Sequence, residues 1–425
     1  MFQESMFKPA LPSPSKEYLS KFKLLFSNLP LVLSSVPFGR PSTYSKFSLL
    51  CTLIYKNLRC IRQFHDLVKE INNSPELATL LNLKLPVNKE LFSYFLLNTP
   101  NSFFKLIMER LVNELISLKE IPAQYLSTDS CPIFSPVKEN NLNTTVFNRF
   151  DKSRTIKGDP DATLSAYVIF PDKKQVSFFW GYRNHIINDA VSELPIAEIT
   201  KPNNAHDSTI FIPLFSYAHQ TFKLRNIKAV IADSAYDSYN NIDFVVNTLK
   251  ARPVIAKNPR TGKSHDFKLS PSGEPICIAN LPMHSHGIFF DKANNRWRHK
   301  FVCPIKISKK FAEDHPFCPW NHPKFFSNRY GCCVNIRTDV NENIRNAIDY
   351  SSKTFKNIYK LRTSSERIFS RLTLFFLEEP TVTKLAPISN LCTIAHITVL
   401  LIALTAIKTG HRDKIRFIKN FLQVL

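Results

Sequence analysis

At 425 residues the chain has room for two or three domains and at least one substantial hydrophobic core. Fifty-six Lys and Arg against 34 Asp and Glu leave a formal charge of +22, which argues against small-molecule metabolism and for a polyanionic partner. Only eight glycines are present, so no Gly-rich phosphate loop can be built, and nine cysteines at irregular spacing read as reduced thiols.

Met1-Phe-Gln-Glu lacks the basic-then-apolar run of an export signal, so the cytoplasm is the expected compartment. Residues 1–40 are rich in Pro and Ser and read as an extended N-terminal arm. Residues 41–120 read as a helical domain, with Phe64, Leu67, Val68 and Ile71 at helix spacing and Leu91, Tyr94 and Phe95 repeating it. Leu81-Asn-Leu-Lys-Leu-Pro86 connects the two stretches. A helix-turn-helix here would place Asn88, Lys89 and Ser93 at the start of a recognition helix; plain helical packing is the alternative.

From Gln124 the pattern becomes strand-like. Residues 162–170 and 174–183 form a hairpin pattern around Pro171-Asp-Lys, and 194–200 is a further strand. A helix is expected from His206-Asp207 towards Leu224, with Asp207 or Ser208 as its N-cap. The apolar run Ile227–Ala232 reads as a buried strand, followed by a helix over 239–249 and a strand over 253–256. Strand and helix in alternation after a meander define an α/β sheet over 121–256.

Residues 257–335 interrupt that pattern as a basic insertion; over 251–330, fourteen Lys and Arg against five acids leave +9. Arg296, Arg298, Lys300, Lys306, Lys309 and Lys310, interleaved with Trp297 and Phe301, suit contact with a DNA backbone. Cys303, Cys318, His322, Cys332 and Cys333 crowd the same region. A structural zinc needs four ligands, typically in tight pairs, and only Cys318 and His322 offer one, so reduced thiols are the preferred reading. Residues 336–410 resume the α/β pattern. Their apolar stretch 394–407 is shorter than the ~20 residues that span a bilayer and reads as a buried helix, so no membrane is expected as a partner. Residues 411–425 form a basic tail.

Three reactive groups, Tyr359, Arg362 and Glu366, follow one face of a helix expected over 357–372, while Ile358, Leu361, Ile368 and Leu372 form an apolar stripe. Asp129 and Asp233 each close a strand-like segment, where a carboxylate projects from a rigid backbone. Two such aspartates and a helical glutamate offer all-oxygen ligation of divalent metal, the donor set of two-metal phosphodiester chemistry. His185 and His206 are candidate neighbours with structural or substrate-positioning roles.

In these residues the chain resembles the DDE transposases of bacterial insertion sequences, in the group marked by a Tyr-Arg-Glu helix motif. The resemblance runs through 127–130 (Ser-Thr-Asp-Ser), 158–162 (Gly-Asp-Pro-Asp-Ala), 179–185 (Phe-Trp-Gly-Tyr-Arg-Asn-His), 204–208 (Asn-Ala-His-Asp-Ser), 230–237 (Val-Ile-Ala-Asp-Ser-Ala-Tyr-Asp) and the motif helix. It implies an RNase H-like α/β core of mixed sheet, split by the insertion into 121–256 and 336–410, with the Glu helix in the second part. The helical segment 41–120 would grip DNA. Asp129, Asp233 and Glu366 would be the catalytic triad and hold Mg²⁺, with Mn²⁺ able to substitute, and Tyr359 and Arg362 would position DNA. The resemblance further implies cleavage at the element's terminal inverted repeats and strand transfer into target double-stranded DNA. By the same resemblance, that transfer would proceed directly or through a hairpin, by a nucleoid-associated homodimer on paired ends. The family pattern carries a Lys seven residues after the Glu; here that position is Thr373. An inactive DNA-binding derivative and a nuclease without strand transfer are the alternative functions.

Overall fold

The computed structural model describes residues 15–31, 43–170, 175–258, 268–270, 274–338 and 348–418. Its chain divides into two compact units, Met1–Asn226 with Leu361–Leu425, and Ile227–Lys360. The fold is mixed α/β.

The first unit begins with helices α1 (Lys16–Ser27), α2 (Lys46–Leu58), α3 (Phe64–Asn72), α4 (Pro75–Leu80), α5 (Glu90–Asn98) and α6 (Asn101–Ser117). The arm expected to be extended therefore contains a helix. Leu19, Phe22, Leu25 and Phe26 recur at helical spacing and are buried, and the Ser15 side chain caps Tyr18 N–H; this periodicity outweighs the Pro- and Ser-rich composition. The Pro-rich residues before Ser15 and after Leu31 lie outside the described residues.

Four strands follow: β1 (Tyr125–Phe134), β2 (Thr163–Phe170), β3 (Gln175–Asp189) and β4 (Leu194–Pro202). They pair antiparallel, with β3 between β2 and β1 and β4 joined to β3. The Pro171-Asp-Lys turn lies outside the described residues. β1 continues five residues beyond Asp129, pairing through Pro132 to Phe134, so this aspartate stands in mid-strand and not at a strand end. Pro132 has no N–H to donate, but the pairing with β3 carries the strand across it. Helix α7 (Asp207–Phe222) is capped by His206 without a side-chain bond; Asp207, an expected cap, turns instead towards His185.

The second unit holds a parallel pair, β5 (Ala229–Ala232) and β6 (Arg252–Ile255), all of whose residues are buried except Arg252. The helix expected between them is α8 (Tyr239–Asp243) continued by a π-helical turn, Phe244–Thr248. Short strands β7 (Lys268–Leu269) and β8 (Pro275–Ile276) precede the antiparallel ribbon β9 (His284–Asp291), β10 (Arg296–Val302) and β11 (Cys333–Arg337). Helices α9 (Pro304–Ile307), α10 (Lys309–Asp314) and α11 (Pro323–Ser327) join β10 to β11, and α12 (Lys353–Tyr359) packs on β5 and β6.

Back in the first unit, α13 (Thr363–Thr373) packs on β1 and β3, and α14 (Leu385–Lys408) runs against α6, β4, α2 and α5. α14 is long and apolar enough to cross a membrane, yet nearly all of it is buried within the fold. Several of its buried polar side chains bond to neighbouring elements. Thr393 donates to Glu198 (2.7 Å), Asn390 to the Leu96 and Thr99 carbonyls (2.7 and 2.8 Å), and His396 Nε2 faces Asn184 Oδ1 at 2.9 Å. Glu198 also accepts from Asn184 (2.7 Å) and pairs with Lys105. Burial alone would raise the Glu198 carboxyl, but Lys105 and His396 bring it below the usual range.

Burial lowers His396 from 6.5 to about 4, so the imidazole is neutral at neutral pH. Its folded pKa lies below the unfolded one, so the unfolded chain takes up the proton first on acidification. Stability from this group is complete above pH 6.5 and is lost as pH falls towards 4, at most about 1.4 kcal/mol per pH unit. Urea unfolding at pH 5.0 and 7.0 is expected to show that loss in the native protein. His396→Gln, which keeps a donor for Asn184, should flatten the slope between those values.

Candidate active site

Alternation along β1 places Ser127 and Asp129 on one face, and α13 lies over it. Four polar side chains fix the contact. Ser365 Oγ donates to Asn188 Oδ1 at 2.7 Å, Asn188 Nδ2 donates to Ser364 Oγ at 2.9 Å, and Ser127 Oγ therefore donates to Ser365 Oγ at 2.9 Å. All four residues are buried, and every one of these groups finds a partner. Ile368 and Leu372 add the apolar part of the same interface.

One turn before Ser365 and Glu366 comes Arg362, whose guanidinium reaches Asp129 Oδ2 at 3.4 Å and Glu366 Oε1 at 2.5 Å. A single cation thus joins two of the proposed catalytic carboxylates, Asp129 with 18% of its side chain exposed and Glu366 with 51%. Asp129 Oδ1 also accepts Ser130 N–H at 2.8 Å. The motif helix is not continuous: α12 ends at Tyr359, Lys360–Arg362 form a 3₁₀ turn, and α13 starts at Thr363. Three residues per turn replace 3.6 there, so the single face expected for Tyr359, Arg362 and Glu366 is interrupted.

Tyr359 belongs to the second unit, where its ring stacks on Phe355 with centroids 5.8 Å apart. Asp233 belongs there too. It follows the buried strand β5, as its strand-end position required, and caps a 3₁₀ turn by accepting Ala235 N–H at 2.8 Å. Among the described residues, no three His, Cys, Asp or Glu side chains are gathered closely enough to hold a metal ion. The two carboxylates on Arg362 supply only oxygen atoms, the donor type that hard divalent cations take.

On the other face of β1, Arg183 reaches Ser130 at 3.3 Å, and buried His185 lies 3.3 Å from Asp207 through Nδ1. Burial would raise the Asp207 carboxyl; bonds from His185 and Ser130 hold it below the usual range. His185 is therefore partnered by Asp207, while His206 serves as the α7 cap. Of the insertion residues, Arg296, Arg298 and Lys300 alternate along β10 onto one face. Arg298 pairs with Asp291 at 2.7 Å, Lys300 lies over the Tyr330 ring at 4.0 Å, and Lys309 and Lys310 are exposed at the start of α10. Cys303 and Cys318 pack with Ile305 and Phe325 in a small apolar cluster, and all nine cysteines are free thiols.

Asn188, Ser364 and Ser365 were not singled out by sequence reasoning. The available signal was a Ser-Ser pair inside an amphipathic helix, where small polar residues mark close approach to another backbone. Thr373 carries no charge to the Glu366 side; its hydroxyl lies 3.0 Å from the Phe369 carbonyl and 2.9 Å from the Glu378 carboxylate.

The family model described as the transposase DDE domain matches residues 161–401, more than half of the chain, and the protein belongs to that family. Asp233 and Glu366 lie inside the matched region and Asp129 precedes it. A solved cryo-EM structure, a piggyBac transposase synaptic complex with hairpin DNA, is similar over 97% of this chain and 77% of that chain, with 11% identity and a TM-score of 0.38. No curated protein matches the sequence.

Replacing Ser365 by Leu forces a large side chain into the α13–β1 contact and leaves Asn188 Oδ1 and Ser127 Oγ without their Ser365 partner. A loss of about 2–4 kcal/mol is expected in denaturant unfolding. Ser365→Ala should cost about 1–2 kcal/mol by the lost bonds alone.

Proposed function

We propose that this protein is a DNA transposase that cuts phosphodiester bonds at the ends of its element and transfers the freed strand to target DNA. The observation that carries the reading is the pairing of Asp129 and Glu366 through Arg362 in a chain of the transposase DDE family. Asp129, Asp233 and Glu366 would hold Mg²⁺ or Mn²⁺ through oxygen atoms, and bound metal would supply an activated water and charge neutralisation at the phosphate. Arg362 already lies against two of those carboxylates and is placed to exchange them for a DNA phosphate, which its planar fork suits. Tyr359 would position the strand by stacking, as it now stacks on Phe355.

The basic insertion would contact the DNA backbone through Arg296, Arg298 and Lys300 on one ribbon face and Lys309 and Lys310 on α10. The helices over 41–120 would grip element ends, and a homodimer in the cytoplasm, at the nucleoid, would pair the two ends. A catalytically inactive DNA-binding derivative is the second reading. It is favoured by Thr373, which offers a hydroxyl beside the Glu378 carboxylate where the resembled group carries a lysine.

The test is a reaction of purified protein with Mg²⁺ and a DNA fragment carrying the gene's own flanks. Cleavage at the repeat boundary is expected from the native protein. Asp129→Asn, Asp233→Asn and Glu366→Gln should each drop it to background while leaving DNA mobility shifts intact. Normal cleavage by any of the three would sink the triad, and a mobility shift without cleavage by the native protein would favour the inactive derivative.

A further inference from the structure

Three arginines converge on one carboxylate beside the Glu366 helix. Glu193, in the turn between β3 and β4, takes Arg367 Nε at 2.7 Å, Arg416 Nη1 at 3.1 Å and an Arg371 guanidinium nitrogen in closer contact. The turn is itself rigid: Asp189 accepts the N–H groups of Ala123, Val191 and Ser192, and Glu193 adopts a left-handed φ of 58°. Arg371 adds a bond to the Glu193 carbonyl at 2.8 Å, and Arg416 adds bonds to the Ser192 and Val191 carbonyls at 3.1 and 2.5 Å.

One carboxylate among three guanidiniums leaves the cluster at +2. Burial pushes the Arg371 guanidinium below its ordinary value; Glu193 opposes that, and the neighbouring Arg416 and Arg367 lower it further. Three cations held together in this way call for a second anion. Arg371 forms the floor with 12% of its side chain exposed, while Arg367 and Arg416 are half open to solvent at 50% and 43%. On α13, Arg367 follows Glu366 directly and Arg371 stands one turn further along the same flank.

We propose that Arg367, Arg371 and Arg416 form a clamp for a backbone phosphate of DNA, seated one helical flank away from Glu366 and standing in for the charge that Thr373 does not provide. The inference rests on the DNA-cutting function proposed above and names a further contact for it. Guanidinium forks match phosphate oxygens in pairs, and the clamp joins Arg367 and Arg371 of α13 to Arg416 near the far end of the chain in one cationic surface. A purely structural ion-pair network would pin α13 and the segment around Arg416 to the β3–β4 turn and have no need of an external anion.

Fluorescence anisotropy of the full-length protein with a labelled DNA duplex, titrated across 50–300 mM KCl as a roughly Debye-scale screening range, separates the two. In Arg367→Gln/Arg416→Gln the slope of log Kd against log [KCl] is expected to fall by about one phosphate contact, roughly 0.9, with affinity weakened about tenfold near 0.1 M salt. Arg367→Lys/Arg416→Lys should restore most of the slope. Thermal melts accompany each variant, and if the double Gln variant fails to fold, the half-exposed Arg367→Gln alone reads the same slope. An unchanged slope with only a lower melting temperature overturns the clamp. Failure of the native protein to bind DNA at any salt overturns the DNA reading and the clamp with it, whereas native binding with an unaltered variant slope removes the clamp alone.

Discussion

Two carboxylates on different elements share the guanidinium of Arg362, and the arrangement of the first unit serves to bring them within its span. Asp129 and Glu366 repel each other when ionised, so their proximity needs a cation between them. Here Arg362 is that cation. All three side chains retain contact with solvent, so the pairing adds little to stability; its value is positional. The geometry is inherited from the β1–β3 register, which sets Ser127 and Asp129 on one face and Asn188 opposite Ser127. Short serines then let α13 descend on the strands until Arg362 meets Asp129. A larger residue at Ser364 or Ser365 would hold the helix off and separate the carboxylates.

The interface that fixes α13 divides its labour. Ile368 and Leu372 supply apolar burial, Ser364 and Ser365 supply direction, and Arg367 and Arg371 tie the outer flank to Glu193. Hydrophobic contact tolerates sliding, whereas hydrogen bonds to Asn188 and Ser127 do not, so the serines define where along the strand Glu366 stands. The same logic runs through α14. Its composition is that of a membrane span, but Asn390, Thr393 and His396 each require a polar partner and find one in Glu198, Asn184 or a loop carbonyl. A lipid environment offers no such partners, so the polar residues assign this helix to the protein interior.

Much of this was legible in the sequence where one period dominated. The buried run before Asp233 stands where hydrophobic spacing put it and the helix from Asp207 where its opening residues put it, while the apolar stretch 394–407 is the inner part of a longer helix, Leu385–Lys408. α1 was hidden because flanking prolines outweighed a four-residue apolar stripe. Asp129 closes the strand-like segment of the sequence, and only pairing with β3 shows that the strand runs on through Phe134. The 3₁₀ turn at Lys360–Arg362 has neither Pro nor Gly to announce it. Glu193 was invisible for a different reason: its partners lie 174, 178 and 223 positions away, and no local pattern encodes such a meeting.

Around Glu366 the positive charge is set by the fold and not by helical register. A residue seven positions after Glu366 returns to the same helical stripe, and on that stripe the structure places a hydroxyl beside the Glu378 carboxylate, an arrangement that repels an anion. Positive charge gathers one flank over, where Arg367 and Arg371 project from α13 and Arg416 arrives from the far end of the chain. Glu193 does not cancel that charge but organises it, since one carboxylate on a rigid turn holds three forks that would otherwise repel one another apart. With a net charge of +22 the chain has cations to spare; what it must supply is an order for them, and a single buried acid among arginines provides it.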